Sequence, residues 1–130
     1  MLKLCNLEEI PDGEARGFCV EGPQLAQRLI VIRQGQEVLG YVDYCPHTGS
    51  RLDPGRNRFL DDAGIFICCA IHGALFKIKD GECVDGPCFG DKLIPAPVQA
   101  KDGSIYLEHD NVELVDELSQ WMSDLEPKTG

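Results

Sequence analysis

The stretch CPHTGS at residues 45–50, together with CCAIHG at 68–73, decides how this chain is read. The protein has three histidines, His47, His72 and His109, and two of them fall in these patches beside a cysteine. The pattern is C-x-H, then 21 residues, then C-x2-H, which makes Cys45, His47, Cys69 and His72 a candidate ligand set. Two thiolates and two imidazoles suit a tetrahedral zinc ion. They equally suit a [2Fe–2S] cluster with two cysteines on one iron and two histidines on the other. Zinc sites of this composition usually pair Cys with Cys and His with His along the chain. Here each loop supplies one of each, so each loop can span both irons.

The residues around the four ligands extend the pattern. From Val42 to Val98 the sequence resembles the cluster-binding part of Rieske-type iron–sulfur proteins, in VDYCPHTGSRLDPG and in ICCAIHGALFKIKDGECVDGP. The match includes Gly49 two residues after His47, Gly73 directly after His72, an aromatic at Phe76 and the pair Gly86–Pro87. The resemblance implies that this pair forms a third loop covering the cluster. It also implies that Cys45 and Cys69 hold an inner iron, and His47 and His72 an outer, solvent-facing one. Imidazole ligands make the outer iron easier to reduce than in an all-cysteine ferredoxin. Four protein ligands and bridging sulfides leave no open position for a substrate, so the implied role is one-electron transfer.

The departures from one branch of that family are informative. Rieske proteins of respiratory cytochrome complexes carry an extra Cys in each loop, and the two form a disulfide. The matching positions here are Ser50 and Ile71. That branch also has hydroxyl side chains where this chain has Ala74 and Phe76, which cannot donate hydrogen bonds to sulfur. Fewer such bonds stabilise the reduced cluster less, which places the expected potential low in the Rieske range. The gap between the ligand pairs is longer than the family's commonest spacing, with the extra residues expected in LDPGRNRFLDDAG.

Composition sets the broader limits. At 130 residues the chain has room for one domain with one core. A net charge of −10 repels nucleic acid and anionic membrane surfaces and favours encounters with a basic protein surface. No run of 18 apolar residues occurs, so no membrane span is expected. The start, MLKLCNLEEIPDGE, lacks an apolar signal region, which leads us to expect a cytoplasmic protein. Seven cysteines in that setting point to metal ligation plus free thiols rather than a disulfide framework.

Short β-branched runs punctuated by Gly, Pro and Asp predict strands at Leu2–Leu7, Arg16–Glu21, Gln27–Arg33, Glu37–Tyr44, Ile65–Cys69, Ala74–Ile78, Val98–Ala100 and Ser104–Leu107. RQGQE, KDGE and KDGS mark turns. In DNVELVDELSQWMSDLEP the apolar residues recur at three- and four-residue spacing, which predicts a C-terminal helix over 110–126 packed on the domain. Asp110 with Glu113 reads as its capping box.

Cys68 adjoins Cys69 on a strand, so it faces the other way and is expected to fill the core. Cys5 and Cys19 read as small buried hydrophobes, Cys83 and Cys88 as reduced thiols near the third loop, and His109 as a solvated turn residue. Arg51, Arg56 and Arg58 form the dense basic cluster, beside the first loop.

The expectation is an all-β, mainly antiparallel fold over residues 1–109, with a cluster-binding subdomain from about Tyr44 to Gly90 on a β base, and a C-terminal helix. Its implied cofactor is one [2Fe–2S] cluster. The leading function is a soluble Rieske-type ferredoxin, a monomer or weak oligomer, passing electrons from a reductase to an acceptor such as an oxygenase. It is not itself an enzyme. The alternatives are a regulatory or structural Rieske subunit of a larger oxidoreductase and a zinc-binding structural domain.

Overall fold

The computed structural model describes residues 1–23, 25–44, 52, 59–69, 73–86, 90–109 and 111–115. These build ten antiparallel strands: β1 (Leu2–Asn6), β2 (Ala15–Gly22), β3 (Leu25–Gln34), β4 (Glu37–Val42), β5 (Phe66–Cys68), β6 (Leu75–Lys77), β7 (Cys83–Asp85), β8 (Val98–Lys101), β9 (Ser104–Leu107) and β10 (Glu113–Val115). They form three sheets in the orders β1-β9-β8, β10-β2-β3-β4 and β5-β6-β7.

Strand β3 shows why the sheets stack as they do. Leu29, Ile30, Val31 and Ile32 form an unbroken apolar run, and all four are at most 1% exposed. Alternate side chains of a strand leave by opposite faces. Leu29 and Val31 enter a core with Leu4, Ile10, Phe18, Val20, Ile105 and Leu107. Ile30 and Ile32 enter a second core with Tyr41, Leu52, Ile67, Cys69, Phe76 and Leu93. One strand is therefore shared by the β base and the small β5-β6-β7 sheet, and the second core reaches the candidate ligand Cys69.

The turns follow their sequences. Between β8 and β9, Asp102 and Gly103 both take positive φ, 52° and 76°, as a two-residue hairpin of this twist requires. In KDGE, the Asp80 carboxylate accepts the Glu82 N–H at 3.0 Å. That bond holds the Asp80 carboxyl below its ordinary range.

Two elements differ from expectation. Cys83–Asp85 is a strand, β7, pairing with β6 through Phe76↔Cys83 and Leu75↔Asp85. Glu113–Val115, expected as the first turn of a helix, is strand β10 and pairs with β2 through Leu114↔Val20. Asn111 has φ 63°, a left-handed conformation in which a helix cannot start. Its carbonyl oxygen packs where a side chain on Gly22 would stand. The remainder of the predicted helix, 116–126, lies outside the described residues.

Candidate metal centre

The second loop is rooted in a hairpin closed by Cys69 itself. The Cys69 N–H donates to the Ala74 carbonyl at 2.9 Å, and the Gly73 N–H donates to the Cys69 carbonyl at 2.8 Å. Gly73 accepts φ 69°, which turns the chain back toward β6. Cys69 follows β5 and is 0% exposed, packed among Leu52, Ile67, Ala74 and Phe76. A thiolate in so apolar a setting is costly unless a cation neutralises it. A sulfur donor here fits an inner, shielded iron.

The third loop meets this hairpin. Gly86 has φ 106°, and a Cβ on it would stand 2.8 Å from the Ala74 Cα. The loop's neck is closed by the Cys83 N–H on the Asp91 carbonyl at 2.8 Å and the Gly90 N–H on the Cys83 carbonyl at 3.3 Å. Cys83 is buried, and its Sγ donates to the Asp85 carbonyl at 3.3 Å.

The first loop is fixed at its two ends. Asp43 continues the ladder beyond β4, its N–H on the Arg28 carbonyl at 2.8 Å. Its carboxylate Oδ1 accepts the Leu52 N–H at 2.6 Å. Leu52 is fully buried in the core that holds Cys69.

Of the residues singled out from the sequence, Cys69, Gly73 and Gly86 stand together at the roots of the second and third loops. Cys45, His47, Gly49, His72 and Pro87 lie outside the described residues, as do Arg51, Arg56, Arg58 and Cys88. Asp43 and Leu52 were not anticipated, although the aspartate two residues before Cys45 was visible in VDYCPH.

Cys68 corrects one expectation. It does face away from Cys69, but it is Cys69 that enters the core and Cys68 that is half-buried on the outer face. Burial, with Cys69, Asp61 and Asp62 nearby, pushes the Cys68 thiol up. Cys5 is buried as expected, whereas Cys19 on β2 is only half-buried. Ala74 and Phe76 are both 0% exposed within the same core as Cys69. Among the described residues no helix is long and apolar enough to cross a membrane.

A β base thus carries a small three-stranded sheet, with loop roots meeting beside a buried cysteine. Comparison with known proteins supplies the family. The chain belongs to the Rieske [2Fe–2S] domain family, whose model matches residues 1–101. It is an electron-transfer protein of the ferredoxin kind, binding one [2Fe–2S] cluster.

Among its relatives is the ferredoxin subunit of the 3-phenylpropionate/cinnamic acid dioxygenase of Photorhabdus laumondii, 29% identical over 106 residues, spanning 82% of this chain and 91% of that one. A chain in the solved complex of reduced oxygenase and oxidised ferredoxin of carbazole 1,9a-dioxygenase superposes with a TM-score of 0.64 at 28% identity, over 82% of this chain and 90% of the other. The ferredoxin of the Nocardioides aromaticivorans carbazole 1,9a-dioxygenase shares the fold, with a TM-score of 0.63 at 19% identity, over 82% and 94% of the two chains.

Proposed function

We propose that Cys45 and Cys69 hold the inner iron and His47 and His72 the outer iron of the cluster. We further propose that this chain is the soluble, cytoplasmic ferredoxin that carries electrons from a reductase to an oxygenase. When bound, the cluster supplies a one-electron couple and no open coordination position. The observation that carries the reading is the match to the Photorhabdus dioxygenase ferredoxin subunit over 91% of that protein's length. The donor chemistry supports it: Cys69 offers a sulfur inside the apolar core, and the motif supplies a second cysteine and two histidines from the same two loops. The histidine pair belongs on the solvent side, where an imidazole edge gives electrons a short way out.

The protein's surface suits a basic partner. An open cleft of about 360 Å³ between residues 13–15 and 59–64 carries Glu14, Asp61 and Asp62. The net charge of −10 extends that field over the whole molecule.

The test is spectroscopic and kinetic. Purified protein is expected to be red-brown, with an anisotropic EPR signal on reduction whose average g lies below the free-electron value. Serine at Cys45 or Cys69, and alanine at His47 or His72, is expected to abolish it. Reduced protein mixed with cytochrome c, a basic one-electron acceptor, is expected to reoxidise quickly, and more slowly as salt screens the attraction. Retention of the signal in any of the four variants would remove that residue from the ligand set. Reoxidation too slow to compete with air would remove the carrier role.

A further inference from the structure

Asp43 holds two distant points of the chain with one residue. Its backbone N–H lies on the Arg28 carbonyl, extending the β3–β4 ladder one step toward the first loop. Its carboxylate Oδ1 accepts the Leu52 N–H at 2.6 Å, nine residues on. Both residues are buried, Asp43 at 8% and Leu52 at 0% exposed. The interval they enclose, 44–51, contains Cys45 and His47. Leu52 in turn packs in the core that contains Cys69.

A buried charge-assisted bond to a backbone N–H is among the stronger protein hydrogen bonds, and breaking it leaves a buried donor unpaired. We infer that Asp43 is a positioning residue for the cluster: by clamping Leu52 it fixes the first ligand loop against the second. The inference rests on the assignment of Cys45 and His47 as ligands. The carboxylate acts through the Leu52 amide, in the way that outer hydrogen bonds orient metal ligands. An aspartate suits the task because its short side chain reaches a backbone N–H a fixed distance from its own strand. Asparagine keeps an oxygen acceptor at the same place, and alanine removes it.

Three variants test this: Asp43→Ala, Asp43→Asn and, as a control for general destabilisation, Ile105→Ala in the other core. The readouts are the EPR signal of the reduced protein, its visible circular dichroism, and the rate of iron loss to EDTA. D43A is expected to change both spectra and to lose iron about tenfold faster, the lower end of the effect of removing an outer hydrogen bond from a metal site. D43N is expected to keep the wild-type spectra and a loss rate within about twofold. I105A is expected to lower the melting temperature while leaving both spectra alone.

Wild-type spectra in D43A, failure of D43N to rescue them, or the same spectral change in I105A would overturn the inference. Should D43A not accumulate as folded protein, hydrogen exchange at the Leu52 amide decides. Protection in both wild type and D43N supports the clamp, and exchange at the rate of an exposed amide overturns it. A wild-type protein without Rieske-type signals, or a Cys45→Ser variant that keeps them, would instead overturn the ligand assignment and this inference with it. That result is distinct from failure of the clamp alone, in which wild-type signals are present and D43A reproduces them.

Discussion

Gly86 passes so close to Ala74 that a Cβ on the glycine would stand 2.8 Å from the alanine's Cα and 3.1 Å from its Cβ. The third loop therefore lies on the root of the second with no room for a side chain between them. Gly86 also holds φ 106°, outside the range other residues adopt without strain. Gly86→Ala must displace one loop from the other as well as strain the backbone, so a stability loss of at least about 1–3 kcal/mol is expected. Melting temperature and iron loss to EDTA measure it. A variant indistinguishable from wild type in both would show that the two loops separate freely.

Adjacent cysteines at the end of β5 have opposite fates. Cys69 is sealed in the core with Ile67, whereas Cys68 is half-buried on the other face. Cys68→Ser is expected to load iron as wild type does and to cost no more than about 1 kcal/mol. Cys69→Ser is expected to lose the cluster. Iron and sulfide content after purification separates the two, and loss of cluster in C68S would undo the pairing of Cys69 with the site.

These contacts show where the sequence was readable. The two mixed Cys–His patches pointed to the family that the comparison shows, since residue type and spacing carry that information locally. The eight strands predicted from alternation and turn residues are all present, with ends shifted by a few residues. Strand β7 was not legible because Cys83–Asp85 is only three residues long and has no apolar run of its own, although KDGE marked the turn that joins it to β6. In β10 the spacing of Val112, Leu114 and Val115 suits a helix and a strand equally over so short a stretch. What decides it is tertiary: β2 offers an edge, and Asn111 turns left-handed against Gly22. The Asp43 clamp was hidden for the same reason, because a side chain's reach to a backbone amide nine residues away has no sequence period.

Tyr41 ties β4 to the small sheet. Its hydroxyl donates to the Ile78 carbonyl at 2.6 Å, and the ring is 3% exposed. Tyr41→Phe leaves that buried carbonyl without the phenol and is expected to cost about 1–3 kcal/mol, read as a lower urea midpoint. Burial, then the nearby Asp80 carboxylate, pushes the phenol above its ordinary 10.0. The folded state therefore keeps the proton longer than the unfolded state. This contribution is fully present below pH 10.0 and is lost as pH rises through the higher folded value. Above pH 10.0 the wild type should lose stability more steeply than Y41F. Parallel slopes would show that the phenol's environment does not differ between the two states.

Ala74 and Phe76 are fully buried in the core that holds Cys69. Neither can donate a hydrogen bond, so the more negative, reduced cluster receives no help from these two positions. The potential is therefore expected in the lower part of the Rieske span of roughly −150 to +300 mV. Phe76→Tyr is expected to raise it, since the hydroxyl is added within the core that holds Cys69. Ala74→Ser is a harder test, because a Cβ on Gly86 would already stand 3.1 Å from the Ala74 Cβ and the added oxygen must share that space. If F76Y raises the potential and A74S instead weakens the cluster, hydrogen bonding and loop contact are separated at neighbouring positions. A redox titration followed by visible circular dichroism measures each. A wild-type potential above roughly +200 mV would mean that donors elsewhere in the loops supply what these two residues lack.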